Sequence, residues 1–72
     1  MIAPLDPAAL RKELGLSLAD LAARLGLSKS TIYGWETRRR APSIADGHKL
    51  AVGLGLSKDD TARLLAWWGG GK

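Results

Sequence analysis

Residues 29–40 concentrate the side chains of this chain that can exchange hydrogen bonds with a ligand. At helical spacing, basic, hydroxyl-bearing and aromatic side chains of residues 29–37 fall together on one face, and three consecutive arginines follow. Amines, hydroxyls and guanidinium groups recognise anions and polar edges. They do not form the paired nucleophile and base that covalent catalysis needs. The face consists of Lys29, Ser30, Tyr33, Gly34 and Thr37.

The positive charge of the chain is concentrated in the same region. Residues 11–40 contain seven Lys or Arg and three Asp or Glu, which accounts for the whole net charge of +4. The remaining residues contain equal numbers of cationic and anionic side chains. A concentrated positive field attracts polyanions and accelerates encounter with them. The simpler alternative is that these charges only form a solvated basic face. Because the positive charge coincides with the polar face of residues 29–37, a nucleic-acid partner is favoured.

Composition argues against several other classes of protein. The chain has no cysteine and one histidine, His48, so disulfide frameworks and the usual zinc sites are excluded. No nucleophile–base arrangement can be proposed, and we expect neither enzymatic activity nor a cofactor or small-molecule substrate. No apolar run approaches the roughly 18 residues of a membrane span, and no leader-like segment precedes the domain. We therefore expect a cytoplasmic protein with no membrane partner.

A Gly-Leu-Ser triplet occurs at residues 15–17, 26–28 and 55–57 and predicts where helices meet. Glycine ends a helix in the left-handed conformation, and serine caps the next helix by accepting a backbone N–H. An aspartate three residues after each of Ser17, Ser43 and Ser57 strengthens the signal for a helix N-terminus.

These signals predict an all-α fold, a compact bundle of four to five helices. We expect a single domain over residues 1–68, followed by a flexible glycine-rich tail at 69–72. The predicted helices cover residues 7–14, 18–25, 29–37, 44–54 and 58–68.

The second and third predicted helices are joined by a turn short enough to make a helix-turn-helix. Ala22 is small where the two helices cross, and Gly26 permits the sharp turn. Ile32 and Trp35, three residues apart, place one face of residues 29–37 on the core and leave the opposite face outward. A domain of this size is marginally stable alone and gains from dimerisation or ligand binding.

Residues 10–56 resemble the phage-repressor-like helix-turn-helix family, which includes lambda repressor and Cro and is also called XRE. The resemblance covers about two thirds of the chain. The matching residues are Leu10, Arg11, Gly15, Leu16, Ser17, Asp20, Leu21, Ala22, Leu25, Gly26, Leu27, Ser28, Ser30, Thr31, Ile32, Trp35, Glu36, Arg40, Ala41, Pro42, Ser43 and the helix core at 50–54.

The resemblance implies that the third helix enters the major groove of double-stranded DNA. Contacts with bases are expected from the outward face of residues 29–37, and contacts with phosphates from Ser17, Arg38, Arg39 and Arg40. Lysine can donate to guanine, and serine or threonine can serve either kind of base edge. The family also implies a structural salt bridge between Arg11 and Glu36, which would orient the third helix by bidentate hydrogen bonds.

Three positions depart from the family pattern or from helix propensity. Leu18 stands where the family commonly has a phosphate-contacting glutamine, and Arg38 stands where it favours glycine. Gly34 costs a helix about 1 kcal/mol relative to alanine. It either lets the helix approach the base edges closely, or it is merely tolerated there or packs tightly against a neighbour.

The last predicted helix, residues 58–68, has more apolar surface than packing against the core on one side would bury. It either docks fully on the domain or presents part of this surface to a second subunit. We expect a homodimer whose interface is formed by Leu64, Leu65, Trp67 and Trp68.

The sequence therefore predicts a sequence-specific regulator of transcription, such as a phage or bacterial repressor or a Cro-like protein. The alternative is an antitoxin or a protein-interaction module that uses the same helical fold without reading an operator. The basic residues at 38–40 argue against that alternative.

Overall fold

The computed structural model describes residues 3–69, which form five helices and no strand. This confirms the predicted all-α class and all five helices. Four helices end one or two residues earlier than predicted, because Leu14, Thr37, Leu54 and Trp67 are C-caps rather than helical residues. The glycines and lysine predicted as a flexible tail lie outside the described residues from position 70 onward. The helices are α1 Pro7–Glu13, α2 Leu18–Leu25, α3 Lys29–Glu36, α4 Ile44–Gly53 and α5 Lys58–Ala66.

Short polar side chains cap the helix N-termini as predicted. The Asp6 carboxylate accepts from the backbone N–H groups of Ala8 and Ala9 at α1. At each later helix a serine hydroxyl accepts from the N–H three residues on, at 3.0–3.2 Å. These bonds satisfy donors that a helix N-terminus otherwise leaves unpaired. The capping serines are Ser17, Ser28, Ser43 and Ser57.

The core is built mainly from α2, α3 and α4, which α5 closes from one side. Leu64 of α5 is fully buried in it, together with Ile32 of α3. Leu10, Leu18 and Trp68 pack against this cluster and are only partly buried. The buried apolar residues are Leu21, Ala22, Leu25, Ile32, Trp35, Leu50, Ala51, Leu54 and Leu64.

The segment before α1 is fastened to α5. The Leu5 N–H donates to the Arg63 carbonyl at 3.0 Å, and the Arg63 Nε donates to the Ala3 carbonyl at 3.0 Å. On the other side, α5 packs on α4 where Leu65 covers Gly47, so that a Cβ at position 47 would require the Leu65 side chain to move. None of the helices in residues 3–69 has the length and apolar character needed to cross a membrane.

Candidate nucleic-acid interface

Helix α3 presents a polar face to solvent because its apolar residues are anchored in the core. Ile32 is fully buried and Trp35 is nearly so. On the opposite side Lys29, Ser30 and Tyr33 are exposed, and half of the Tyr33 surface is accessible. The predicted outward position of these three side chains is confirmed.

The turn before α3 fixes the direction in which this face points. Gly26 has φ of 67°, a left-handed conformation that costs glycine little, and it ends α2. Ser28 then caps α3 by accepting from the Thr31 N–H at 3.2 Å, and the hydroxyls of the two residues are 2.8 Å apart. The N-terminus of α3 is therefore set by residues within three positions of one another.

Gly34 does not lie on the exposed face, and this part of the prediction was wrong. It is buried, because the side chain of Arg40 folds back over it. A Cβ built on Gly34 would lie 3.5 Å from Arg40 Cδ, an ordinary van der Waals distance. An alanine would fit here, so packing within the chain does not demand glycine.

The C-terminus of α3 ends in a turn that returns the chain toward the helix. Thr37 is the C-cap, and its hydroxyl donates to the Tyr33 carbonyl at 2.9 Å. Arg38 follows with φ of 62°, in the left-handed region where glycine is usual, and its N–H donates to the Trp35 carbonyl. The turn thus keeps the geometry of the family's glycine although arginine occupies the position.

Arg11 and Glu36 form the predicted salt bridge. The Arg11 Nε donates to one Glu36 carboxylate oxygen at 2.8 Å and Nη2 to the other at 3.1 Å. The Arg11 Nη1 also donates to the Leu16 carbonyl at 2.8 Å, so the buried guanidinium is well satisfied. The hydrogen bonds that Arg11 donates to Glu36 raise the pKa of Arg11 above its ordinary value. The last turn of α3 is therefore fixed to α1.

At the N-terminus of α2, the groups that a phosphate would need are largely used internally. The Ser17 N–H donates to Asp20 Oδ2 and the Ser17 hydroxyl accepts from the Asp20 N–H, both at 3.0 Å. The bond from the Ser17 N–H holds the pKa of Asp20 below its ordinary value, so a negative charge stays at this helix end. Ser17 keeps only its hydroxyl proton for a phosphate. Leu18, which replaces the family's glutamine, packs against the core.

The structure corrects the predicted dimer interface at one of its four residues, Leu64. Leu64 is fully buried within the chain's own core and cannot belong to a dimer interface. Trp68 is partly buried, and its Nε1 donates to the Trp35 carbonyl at 2.9 Å. Much of the apolar surface that the sequence left available for a second subunit is therefore buried within one chain. The i,i+4 spacing of Leu64 and Trp68 was the signal that both belong to the core-facing side.

Sequence reasoning missed a contact between the residues 38–40, here called the arginine loop, and α5. The Arg38 guanidinium carbon lies 3.9 Å from the centroid of the Trp67 ring, a cation–π geometry. Trp67 and Trp68 are in turn packed edge to face. Arg38, Arg39 and Arg40 are all exposed, as phosphate contacts require. The described residues contain no cluster of His, Asp or Glu able to hold a metal ion.

A family model described as helix-turn-helix matches residues 8–60 of the chain, which span α1 to the start of α5. The chain therefore belongs to the XRE-type helix-turn-helix family, and the resemblance found in the sequence is confirmed.

The chain is similar to an uncharacterized HTH-type transcriptional regulator from Methanothermobacter thermautotrophicus, with 44% identity over 45 residues. The aligned segment covers 62% of this chain and 65% of that protein, so the chain spans somewhat less than two thirds of its relative. The comparison with solved structures gave no match.

Proposed function

We propose that this protein is a transcriptional regulator that binds double-stranded DNA with α3 in the major groove. One observation carries the proposal. The exposed polar face of α3 runs directly into three exposed arginines, while its other face is anchored in the core. Membership of the helix-turn-helix family and the name of the archaeal relative support it. A protein with this role works in the cytoplasm, where the chromosome is accessible to it.

The dimensions of α3 suit a major groove. An α-helix with its side chains is about 10–12 Å in diameter, and the groove is about 12 Å wide. Lys29, Ser30 and Tyr33 are the side chains that we assign to base edges. Thr37 can accept a hydrogen bond from a base but has committed its proton to the helix carbonyls. Gly34 leaves the predicted set because Arg40 covers it.

We assign contacts with the DNA backbone chiefly to the arginine loop. Guanidinium groups bind phosphate oxygens through two parallel N–H donors, and they keep their charge at every physiological pH. Because the loop follows α3 without interruption, it would lie beside the groove that the helix enters. Ser17 contributes at most its hydroxyl, next to the charged Asp20 carboxylate.

Removal of charge from the arginine loop tests this assignment. A variant with glutamine at all three positions keeps most of each side-chain stem and removes three positive charges. We expect weaker binding to every duplex, with the slope of log K against log salt reduced by about 0.9 for each phosphate that the protein no longer neutralises. Fluorescence anisotropy with random-sequence duplex DNA at a series of salt concentrations measures the binding constant and its salt slope.

A control variant removes the same charge elsewhere. Lys12, Lys49 and Lys58 are exposed on α1, α4 and α5, so their replacement by glutamine equalises the net charge. This control should keep a steeper salt slope than the arginine variant. Equal slopes would show that the loop attracts DNA only through net charge. A wild-type chain that binds no duplex at low salt would instead indicate a protein-interaction module.

We further propose that the protein binds its operator as a homodimer and acts as a repressor by occupying that site. One recognition helix covers about half a turn of DNA, whereas a two-fold pair places two helices about 34 Å apart, in successive major grooves. With Leu64 buried and Trp67 covered by Arg38, the apolar surface left on this side surrounds a small groove. The groove is lined by Ala41, Pro42, Ile44, Leu65 and Trp68.

Sedimentation of the DNA complex tests the dimer. We expect two chains per site for the wild type and one for a Leu65→Glu variant, because a charge in the groove blocks apolar contact. Val52→Glu is the matched control, since Val52 is 80% exposed on α4 and does not line the groove. One chain per site with full affinity in the wild type would show that the protein works alone. Dissociation caused by Val52→Glu alone would move the interface to α4.

A further inference from the structure

Arg38 combines a costly backbone conformation with a specific side-chain contact. Its φ of 62° is the only positive value outside glycine among the described residues. L-residues other than glycine rarely adopt this region without a local reason. The guanidinium of the same residue stacks over Trp67 at 3.9 Å. Glycine at this position would avoid the backbone cost but could not make the stack.

Trp67 is itself held in place by a chain of contacts that returns to α3. Its ring packs edge to face on Trp68, with centroids 5.2 Å apart and planes at 89°. Trp68 donates to the Trp35 carbonyl at 2.9 Å, and Arg38 donates its own N–H to that same carbonyl. The end of α3, the arginine loop and the end of α5 therefore form a closed ring of contacts.

This ring borders an open cleft of about 430 Å³. Three arginines and two indoles dominate its lining, which contains no carboxylate side chain. Such a cleft attracts anions, and the only charged groups that it offers are guanidinium donors. The lining residues are Arg38, Arg39, Arg40, Ala41, Trp67 and Trp68.

A guanidinium stacked on an aromatic face keeps its N–H donors in the plane of the group, where an anion can still reach them. We propose that the cleft is a phosphate site and that Trp67 is a positioning residue, a platform that holds the Arg38 guanidinium ready for a phosphodiester of the DNA backbone. The inference rests on the proposed function, because the phosphodiester comes from the DNA bound by α3. Because the Arg38 side chain is already ordered before DNA binds, less conformational entropy is lost on binding.

A double-mutant cycle between Arg38 and Trp67 tests the platform. We expect Trp67→Leu to weaken binding to random duplex DNA by about two- to fivefold, the strength of an exposed cation–π contact. Trp67→Phe, which keeps an aromatic face, should have a smaller effect. Arg38→Gln should reduce the salt slope by about 0.9. In the Arg38→Gln background, Trp67→Leu should have no further effect on DNA affinity.

Three results would overturn the platform. Trp67→Leu could bind DNA as well as the wild type, or its effect could persist undiminished without the Arg38 charge. Trp67→Leu could also change the number of chains per DNA site, which would make Trp67 an interface residue. Circular dichroism shows whether each variant is folded. If Trp67→Leu does not fold, Trp67→Phe serves as the more conservative replacement.

Titration with inorganic phosphate alone, followed by tryptophan fluorescence, separates the two sources of the anion. We expect a weak response to free phosphate and a strong one to duplex DNA. Saturable binding of free phosphate that DNA does not compete away would assign the cleft to a small anion and overturn the DNA assignment. If the wild type binds no duplex, the proposed function fails. The absence of any phosphate response would then overturn the cleft as a phosphate site as well.

Discussion

At its N-terminus α3 is fixed by contacts within three residues, whereas its C-terminus is fixed by partners 25 and 33 residues away along the chain. Ser28 alone caps the first turn. The last turn is bound to α1 through Arg11 and Glu36 and to α5 through Trp68. The side chains assigned to bases thus project from a locally determined end, while the arginine loop leaves from an end held by the whole domain.

The largest expected effect lies at the C-terminal end of α3. Glu36→Ala leaves the buried Arg11 guanidinium without its partner, since the two side chains are 10% and 6% exposed. Removal of one member of a buried pair typically costs about 3–5 kcal/mol of unfolding free energy. Urea denaturation measures this loss.

Two further variants show whether burial causes that loss. The double variant Arg11→Met with Glu36→Leu should regain most of the stability, because apolar residues of similar size often replace a buried pair at little cost. Asp60→Asn disrupts the exposed pair with Arg63, whose side chains are 41% and 42% exposed, and should cost less than about 1 kcal/mol. Equal losses for Glu36→Ala and Asp60→Asn would contradict a structural role for the buried bridge.

At the N-terminal end, Ser28→Ala removes the local cap. Loss of a serine cap costs about 1 kcal/mol, so this variant should be destabilised clearly less than Glu36→Ala. Ser28→Asp, which restores an acceptor, should recover the free energy of unfolding in the same denaturation experiment. A loss as large as that of Glu36→Ala would mean that the two ends of α3 are not held differently.

Between the two ends, Gly34→Ala should stabilise the protein by up to about 1 kcal/mol, because alanine favours helix and the added Cβ meets Arg40 at ordinary contact distance. DNA affinity should stay within about twofold of the wild type if Arg40 lies between Gly34 and the groove. A stabilised variant with abolished DNA binding would restore the alternative in which Gly34 approaches the base edges.

The smallest expected effect is a pH dependence at α2. Since the pKa of Asp20 is lowered in the folded state from its ordinary value of 3.8, its contribution to stability is present above that value. The contribution disappears as the pH falls through the lowered pKa. The melting temperature of Asp20→Ala should therefore be below that of the wild type near neutral pH and converge with it in strong acid.

Local signals were sufficient to predict the helix starts. Each capping serine and Gly26 acts on residues within four positions, so their geometry can be inferred from spacing. The Arg11–Glu36 bridge spans 25 residues and was predicted only because the family resemblance supplied the pairing.

Contacts made by the end of α5 could not be predicted in the same way. Leu64 and the two tryptophans are apolar in the sequence whether they face a core or a partner, and only the packed helices decide between these roles. The stack of Arg38 on Trp67 depends on where two chain segments meet in space. The same holds for Gly34, whose exposure is decided by the fold of the Arg40 side chain.

The division between a base-reading end and a backbone-holding end of the interface is the central claim, and binding-site selection from a randomised duplex library tests it most directly. The selection is performed with the wild type, with Lys29→Ala combined with Ser30→Ala, and with Arg39→Gln. We predict that the α3 variant selects different base pairs at one or two positions, while Arg39→Gln selects the wild-type sequence with lower retention of every duplex. An α3 variant that still selects the wild-type sequence would contradict the account.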